Sequence, residues 1–161
     1  MTKNERKEMI DFLEDIFDNS NILNYKYVDI DGDNDVNFFV IPKINNKKLK
    51  QDIQIQLLIY CSDDGSLSFY CPSMFKLEDK DSLMFVLSVI NDVNNKIAVG
   101  KVYLNKDNNS IVSYIYRALF NNIYNELTPD LVNDYIDAFL LTSYEFYSQI
   151  KGIIHEDEQK S

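Results

Sequence analysis

The sequence predicts an α+β domain built on an antiparallel sheet, and three observations carry that expectation. Apolar residues recur at helical spacing in three segments, near the start, in the middle and at the end of the chain. Between them the period falls to two, with β-branched and aromatic residues separated by breaks rich in Asn, Asp and Gly. Each break is short enough for a hairpin loop, and Ile53, Ile55 and Leu57 alternate with Asp52, Gln54 and Gln56, the pattern of a sheet with one wet and one buried face.

The elements follow in order. Thr2 and Glu5 form a capping box, and Met9, Ile10, Phe12, Leu13, Ile16 and Phe17 make one apolar stripe, so helix one spans residues 3 to 18. Asp11, Glu14, Asp15 and Asp18 fill its wet side, and Asn19-Ser20-Asn21 ends it. Four strands are expected, Tyr25 to Ile30, Val36 to Ile44, Ile53 to Cys61 and Leu67 to Cys71. Helix two covers about Asp79 to Asn95, with Leu83, Val86, Leu87, Ile90, Val93 and Ile97 as its core stripe. Two further strands, Val99 to Leu104 and Ile111 to Leu119, precede a last helix that Thr128 caps and Pro129 opens. Its apolar face runs from Val132 to Ile154. The order is α-β-β-β-β-α-β-β-α, three helices on one antiparallel sheet, within a single domain over 1–161 whose acidic tail begins at about residue 155.

Composition excludes more than it names. With 161 residues, 45% of them apolar, the chain has enough material for a core that needs no disulfide or metal. Sixteen basic and 26 acidic residues give a net charge of −10, spread over both halves, which argues against nucleic acid and anionic membrane as partners. The opening MTKNERKEMI lacks the apolar segment of a secretory signal, and no apolar run approaches the roughly 20 residues of a membrane helix, so a cytoplasmic protein is expected.

No catalytic or metal-binding pattern emerges. A two-residue turn at Asp64-Gly65 sets Cys61 opposite Ser68 and Cys71 opposite Leu58, with the sulfurs on opposite faces, so two reduced thiols are expected. The single histidine, His155, stands in the acidic tail, and the four glycines are too scattered to cradle a phosphate. The run Asp29, Asp31, Asp33, Asp35 lacks the glycine and the terminal glutamate of a calcium loop and reads as a polar hairpin. The expectation is a protein that is not an enzyme and holds no metal or cofactor.

Two features point to protein partners instead. Tyrosines cluster late in the chain, among them Tyr103, Tyr114 and Tyr116, and such residues beside an exposed strand suit recognition. On helix two, Phe85 and Val89 lie outside the core stripe and widen the apolar arc to about 200°, more than one surface buries. Met84, Phe85 and Val89 are therefore the expected interface of a homodimer.

The stretch from Leu83 to Ile154 holds a helix ending Ile90-Asn91-Asp92-Val93-Asn94, a strand Val99-Gly100-Lys101-Val102-Tyr103-Leu104, and Leu127-Thr128-Pro129-Asp130-Leu131-Val132. In these tokens the chain resembles the YbjN family, whose members are similar in fold to type III secretion chaperones. The resemblance covers about the last 75 residues by motif and the first half by element order. It implies a chaperone-like fold, a dimer, and a chaperone-like or regulatory role akin to sensory-transduction regulators, with no active site to carry over. The competing expectation is an acidic immunity or inhibitor protein that covers a basic toxin or enzyme.

Overall fold

Among the described residues ten elements form in the order α1 (Lys3–Asp18), β1 (Ile22–Val28), β2 (Val36–Pro42), β3 (Leu57–Cys61), β4 (Ser66–Lys76), α2 (Leu83–Lys96), β5 (Lys101–Asn105), β6 (Ser110–Leu119), α3 (Ile123–Glu126) and α4 (Pro129–Lys160). The computed structural model describes residues 1–30, 34–44, 55–76, 83–97, 100–107 and 110–160, with the backbone alone at 73–76, 110–117 and 151–160. The expected strand start at Ile53, helix start at Asp79 and strand start at Val99 lie outside the described residues, as do Asp31, Gly32 and Asp33.

The strands form one six-stranded antiparallel sheet in the order β1-β2-β3-β4-β6-β5. The α+β class and the strand order along the chain are as the periodicities predict. The helix count among the described residues is not: α3 is a fourth helix there, a single turn too short to show a period, placed by the buried side chains of Phe120, Ile123 and Leu127. In place of a side-chain cap, the Asn122 main-chain N–H donates to Glu126 Oε1 at 3.0 Å.

One sheet face makes the core. Val36, Phe38 and Val40 of β2, Leu57, Ile59 and Cys61 of β3, and Leu67, Phe69 and Cys71 of β4 are fully buried on it. α1 lies over β1 and β2, where Phe17 meets Phe38 edge-to-face with centroids 5.2 Å apart and Tyr25 at 5.5 Å. α4 brings Tyr135 against Phe69 at 5.1 Å. The capping box of α1 is present, with Thr2 N–H donating to Glu5 Oε2 at 2.7 Å and Glu5 N–H to Thr2 Oγ1 at 3.3 Å. At the head of α4, Leu131 N–H donates to Thr128 Oγ1 at 3.2 Å. The buried Thr142 and Ser143 inside α4 donate their hydroxyls one turn back, to Ala138 O and Phe139 O, so neither orphans a polar group in the core.

The β3–β4 hairpin corrects the expected register. Its loop has three residues, Asp63-Asp64-Gly65: Gly65 N–H donates to Ser62 O, Ser62 N–H donates to Ser66 O, and Gly65 takes φ +76°. A three-residue loop closed by a left-handed glycine, rather than a two-residue turn, slides the pairing by one, so Cys61 faces Leu67 and Leu58 faces Tyr70. A slip of one exchanges the faces of a strand. Both cysteines consequently lie on the same buried face, not on opposite ones, and neither is in a disulfide. Four residues of strand, about 13 Å, separate their levels, well beyond the reach of a disulfide.

Strand ends differ for similar local reasons. β1 starts three residues early through a register shift between Ile22 and Asn24. β4 runs on to Lys76, past Pro72, because the β3 ladder covers only Leu67 to Tyr70 and the β6 ladder is interrupted between Cys71 and Phe75, so proline deprives no ladder of a donor there.

α2 packs against α4 and β5, and its buried face is Val86, Val89, Ile90 and Val93. The expected stripe is therefore rotated. Leu83 and Leu87 are exposed, whereas Val89 is only 4% exposed and belongs to the core. An apolar arc wide enough to offer two stripes leaves the choice to tertiary contacts. A polar contact fixes it here: Asn94 Nδ2 donates to Val102 O and Val102 N–H donates to Asn94 Oδ1, both at 2.8 Å. β5 is an edge strand, and this amide occupies the main-chain groups of Val102 as a neighbouring strand would.

Two substitutions test these constraints. Gly65→Ala forces a Cβ to within 3.2 Å of Phe120 O at a left-handed φ, and is expected to cost about 1–2 kcal/mol or more, read as a lower urea midpoint at unchanged slope. Asn94→Ala removes both bonds to Val102 and is expected to cost about 1–3 kcal/mol by the same measurement.

Candidate functional site

Two exposed surfaces, rather than a cleft, stand out. The first is the opening turn of α2. Met84 is 78% exposed, Phe85 49%, Leu87 42% and Leu83 36%. Of the three residues expected at an interface, the structure leaves Met84 and Phe85 at the surface, and it withdraws Val89.

The second is the sheet face turned away from α1 and α4. Strand register sets Lys26, Phe39, Leu58, Tyr70, Tyr114 and Lys101 in one row across all six strands. Phe39 and Ile41 in β2 and Tyr103 in β5 are about two-fifths exposed on this face. A shallow hollow of about 260 Å³ opens there, bordered by Asn24, Lys26, Phe39, Ile41 and Gln56. None of the 26 acidic residues lies in any of the six strands, which between them hold Lys26, Lys76, Lys101 and Arg117. Among the described residues the carboxylates stand instead on helices and loops, with Asp11, Asp15 and Asp18 of α1 and Asp130, Asp134 and Asp137 of α4 all exposed. Charge summed over halves of the chain conceals this partition, which appears when charge is summed by element.

A cavity of about 500 Å³ lies between the start of α1, the β3–β4 turn and α3, and its polar groups serve the fold. The Met1 amino group donates to Asp63 Oδ2 at 2.8 Å, Asp64 Oδ1 accepts from Ser66 N–H, and Glu5 completes the capping box. Beneath it, Cys61 Sγ lies 3.7 Å from Met9 Sδ. Burial, together with the carboxylates of Asp35, Asp64 and Asp63, pushes this thiol up to about 12, far from a nucleophilic thiolate at neutral pH. Burial and a 2.7 Å bond to Asp18 likewise push the Tyr25 phenol up to about 12. A groove of about 590 Å³ between α2 and α4 is spanned by Lys96 and Glu145 at 3.3 Å. Hydrogen bonds from Gln149 and Lys96 hold the Glu145 carboxyl below its ordinary value, and those from Thr2 do the same for Glu5. These shifts keep thiol and phenol protonated and carboxylates charged, the opposite of what a thiolate nucleophile or a carboxylic general acid needs.

Of the aspartate run, Asp29 and Asp35 are described, and both hold the chain ends of the β1–β2 connection. Arg6 donates to Asp29 Oδ1 at 2.9 Å and to Asp35 O at 3.2 Å, while Ser62 Oγ donates to Asp35 Oδ2 at 3.0 Å. Among the described residues no group of three His, Cys, Asp or Glu side chains is placed to hold a metal ion, and no helix is long and apolar enough to cross a membrane. Comparison with family models, with curated proteins and with solved structures returns no match to this chain.

The thiol and phenol predict an alkaline weakness. Above pH about 8.5 the unfolded chain releases the Cys61 proton while the folded chain keeps it up to about 12, so stability present below that pH falls as pH rises through the interval. The melting temperature is expected to drop between pH 9 and 11, and less steeply in Cys61→Val. An aromatic disulfide reagent at pH 8 is expected to label neither buried cysteine until the protein is unfolded.

Proposed function

We propose that this chain is a non-catalytic protein-binding module of the chaperone-like or regulatory kind, cytoplasmic and homodimeric through α2, in keeping with its resemblance to the YbjN family and to secretion chaperones. The observation that carries the reading is the opening turn of α2, which presents Leu83, Met84, Phe85 and Leu87 to solvent together while Val86, Val89, Ile90 and Val93 anchor the same helix in the core. Large apolar side chains grouped on a rigid helix mark interaction surfaces.

A second reading, an acidic inhibitor that covers a basic enzyme or toxin, draws on a different observation: the exposed carboxylates of α1 and α4 that give the helix layer its negative charge.

Phe85→Lys decides the first. Phe85 is half exposed, so the variant is expected to fold with an unchanged circular dichroism spectrum and to move from dimer to monomer in light scattering. Wild-type protein that stays monomeric at high concentration rejects the dimer.

A further inference from the structure

We infer that the sheet face turned away from α1 and α4 is a docking surface for an acidic, apolar-rich segment of another protein, laid across the strands between Lys26 and Lys101. The inference rests on the protein-binding reading but uses a different surface from the turn of α2.

Shape and charge both point to it. Both edges of the sheet are guarded, β5 by Asn94 on Val102 and β1 by its irregularity at Leu23 and the exposed Lys26, so a partner meets a face and not an edge. That face offers the apolar surface of Phe39, Ile41 and Tyr103, and one register row ends in a lysine on each outer strand. Five strand spacings separate those lysines, about 24 Å, which a helical segment of about sixteen residues spans.

The sign of the partner follows from where the carboxylates are. The strands carry none, although the chain carries a net −10. The carboxylates of Asp11, Asp15 and Asp18 in α1 and of Asp130, Asp134 and Asp137 in α4 belong to the helix layer, whereas Lys26 and Lys101 stand in the strands that form this face. A second copy opposing the same face is disfavoured by those lysines. A two-fold axis along the strands brings Lys26 over Lys101, and one across them brings Lys26 over Lys26.

The test uses the full chain and two synthetic 18-residue amphipathic helical peptides of equal apolar content, one with glutamate and one with lysine at the charged positions, followed by fluorescence anisotropy in 0.15 M salt. The glutamate peptide is expected to bind about tenfold tighter, and Lys26→Glu with Lys101→Glu to invert the preference. Phe39→Ser is expected to weaken binding and Phe85→Lys to leave it unchanged. Tighter binding of the lysine peptide, binding of neither, or indifference to the charge reversal overturns the inference. So does concentration-dependent self-association abolished by the same reversal, which identifies a second copy as the occupant. The light-scattering result for Phe85→Lys judges the α2 reading separately, so each fails without the other.

Discussion

The handedness of one residue governs which side chains the sheet hides. Gly65 adopts φ +76° and closes a three-residue loop, and from that loop the β3–β4 register follows. In this register Leu67, Phe69 and Cys71 join Leu57, Ile59 and Cys61 beneath the helices. A pairing displaced by one would turn one set of three outward. At roughly 1.5–3 kcal/mol for each large apolar side chain, that loss rivals the whole stability of a domain, about 5–15 kcal/mol. Phe69 also seats Tyr135 of α4, so the attachment of the last helix depends on the same turn.

Legibility in the sequence tracked how far each decision was local. α1 was readable to the residue because a capping box and a single apolar stripe lie within sixteen positions. The Thr128-Pro129 start of α4 was equally local. The hairpin was legible as a hairpin, yet Asp63-Asp64-Gly65 accommodates a two- or a three-residue loop, and only the paired strands choose. α2 failed for a related reason: an arc holding Leu83, Phe85, Val86, Leu87, Val89 and Ile90 supports more than one stripe, and the contact of Asn94 with β5 belongs to the tertiary structure. Met84 and Phe85 were found as surface residues, whereas Val89, four residues beyond Phe85, turns inward.

The two layers meet solvent with different chemistry. Among the described residues the carboxylates lie outside the strands, while the strands combine aromatic and aliphatic groups with a few cations. Strands disfavour Asp and Glu for packing reasons, so part of this partition arises from folding alone. Its result is that the strands carry no carboxylate while α1 and α4 expose several.

Asn94 carries one implication further. By exchanging two hydrogen bonds with Val102, its carboxamide acts as a seventh strand one residue long, contributed by a helix. Resistance to intermolecular β-stacking at this margin is thereby vested in a single side chain, with no charge and no proline in β5 beyond Lys101 to reinforce it. Solubility over evolutionary time is then coupled to one codon: a change that leaves the hydrophobic core intact would bare an adhesive margin, and the first symptom would be slow fibre growth rather than unfolding.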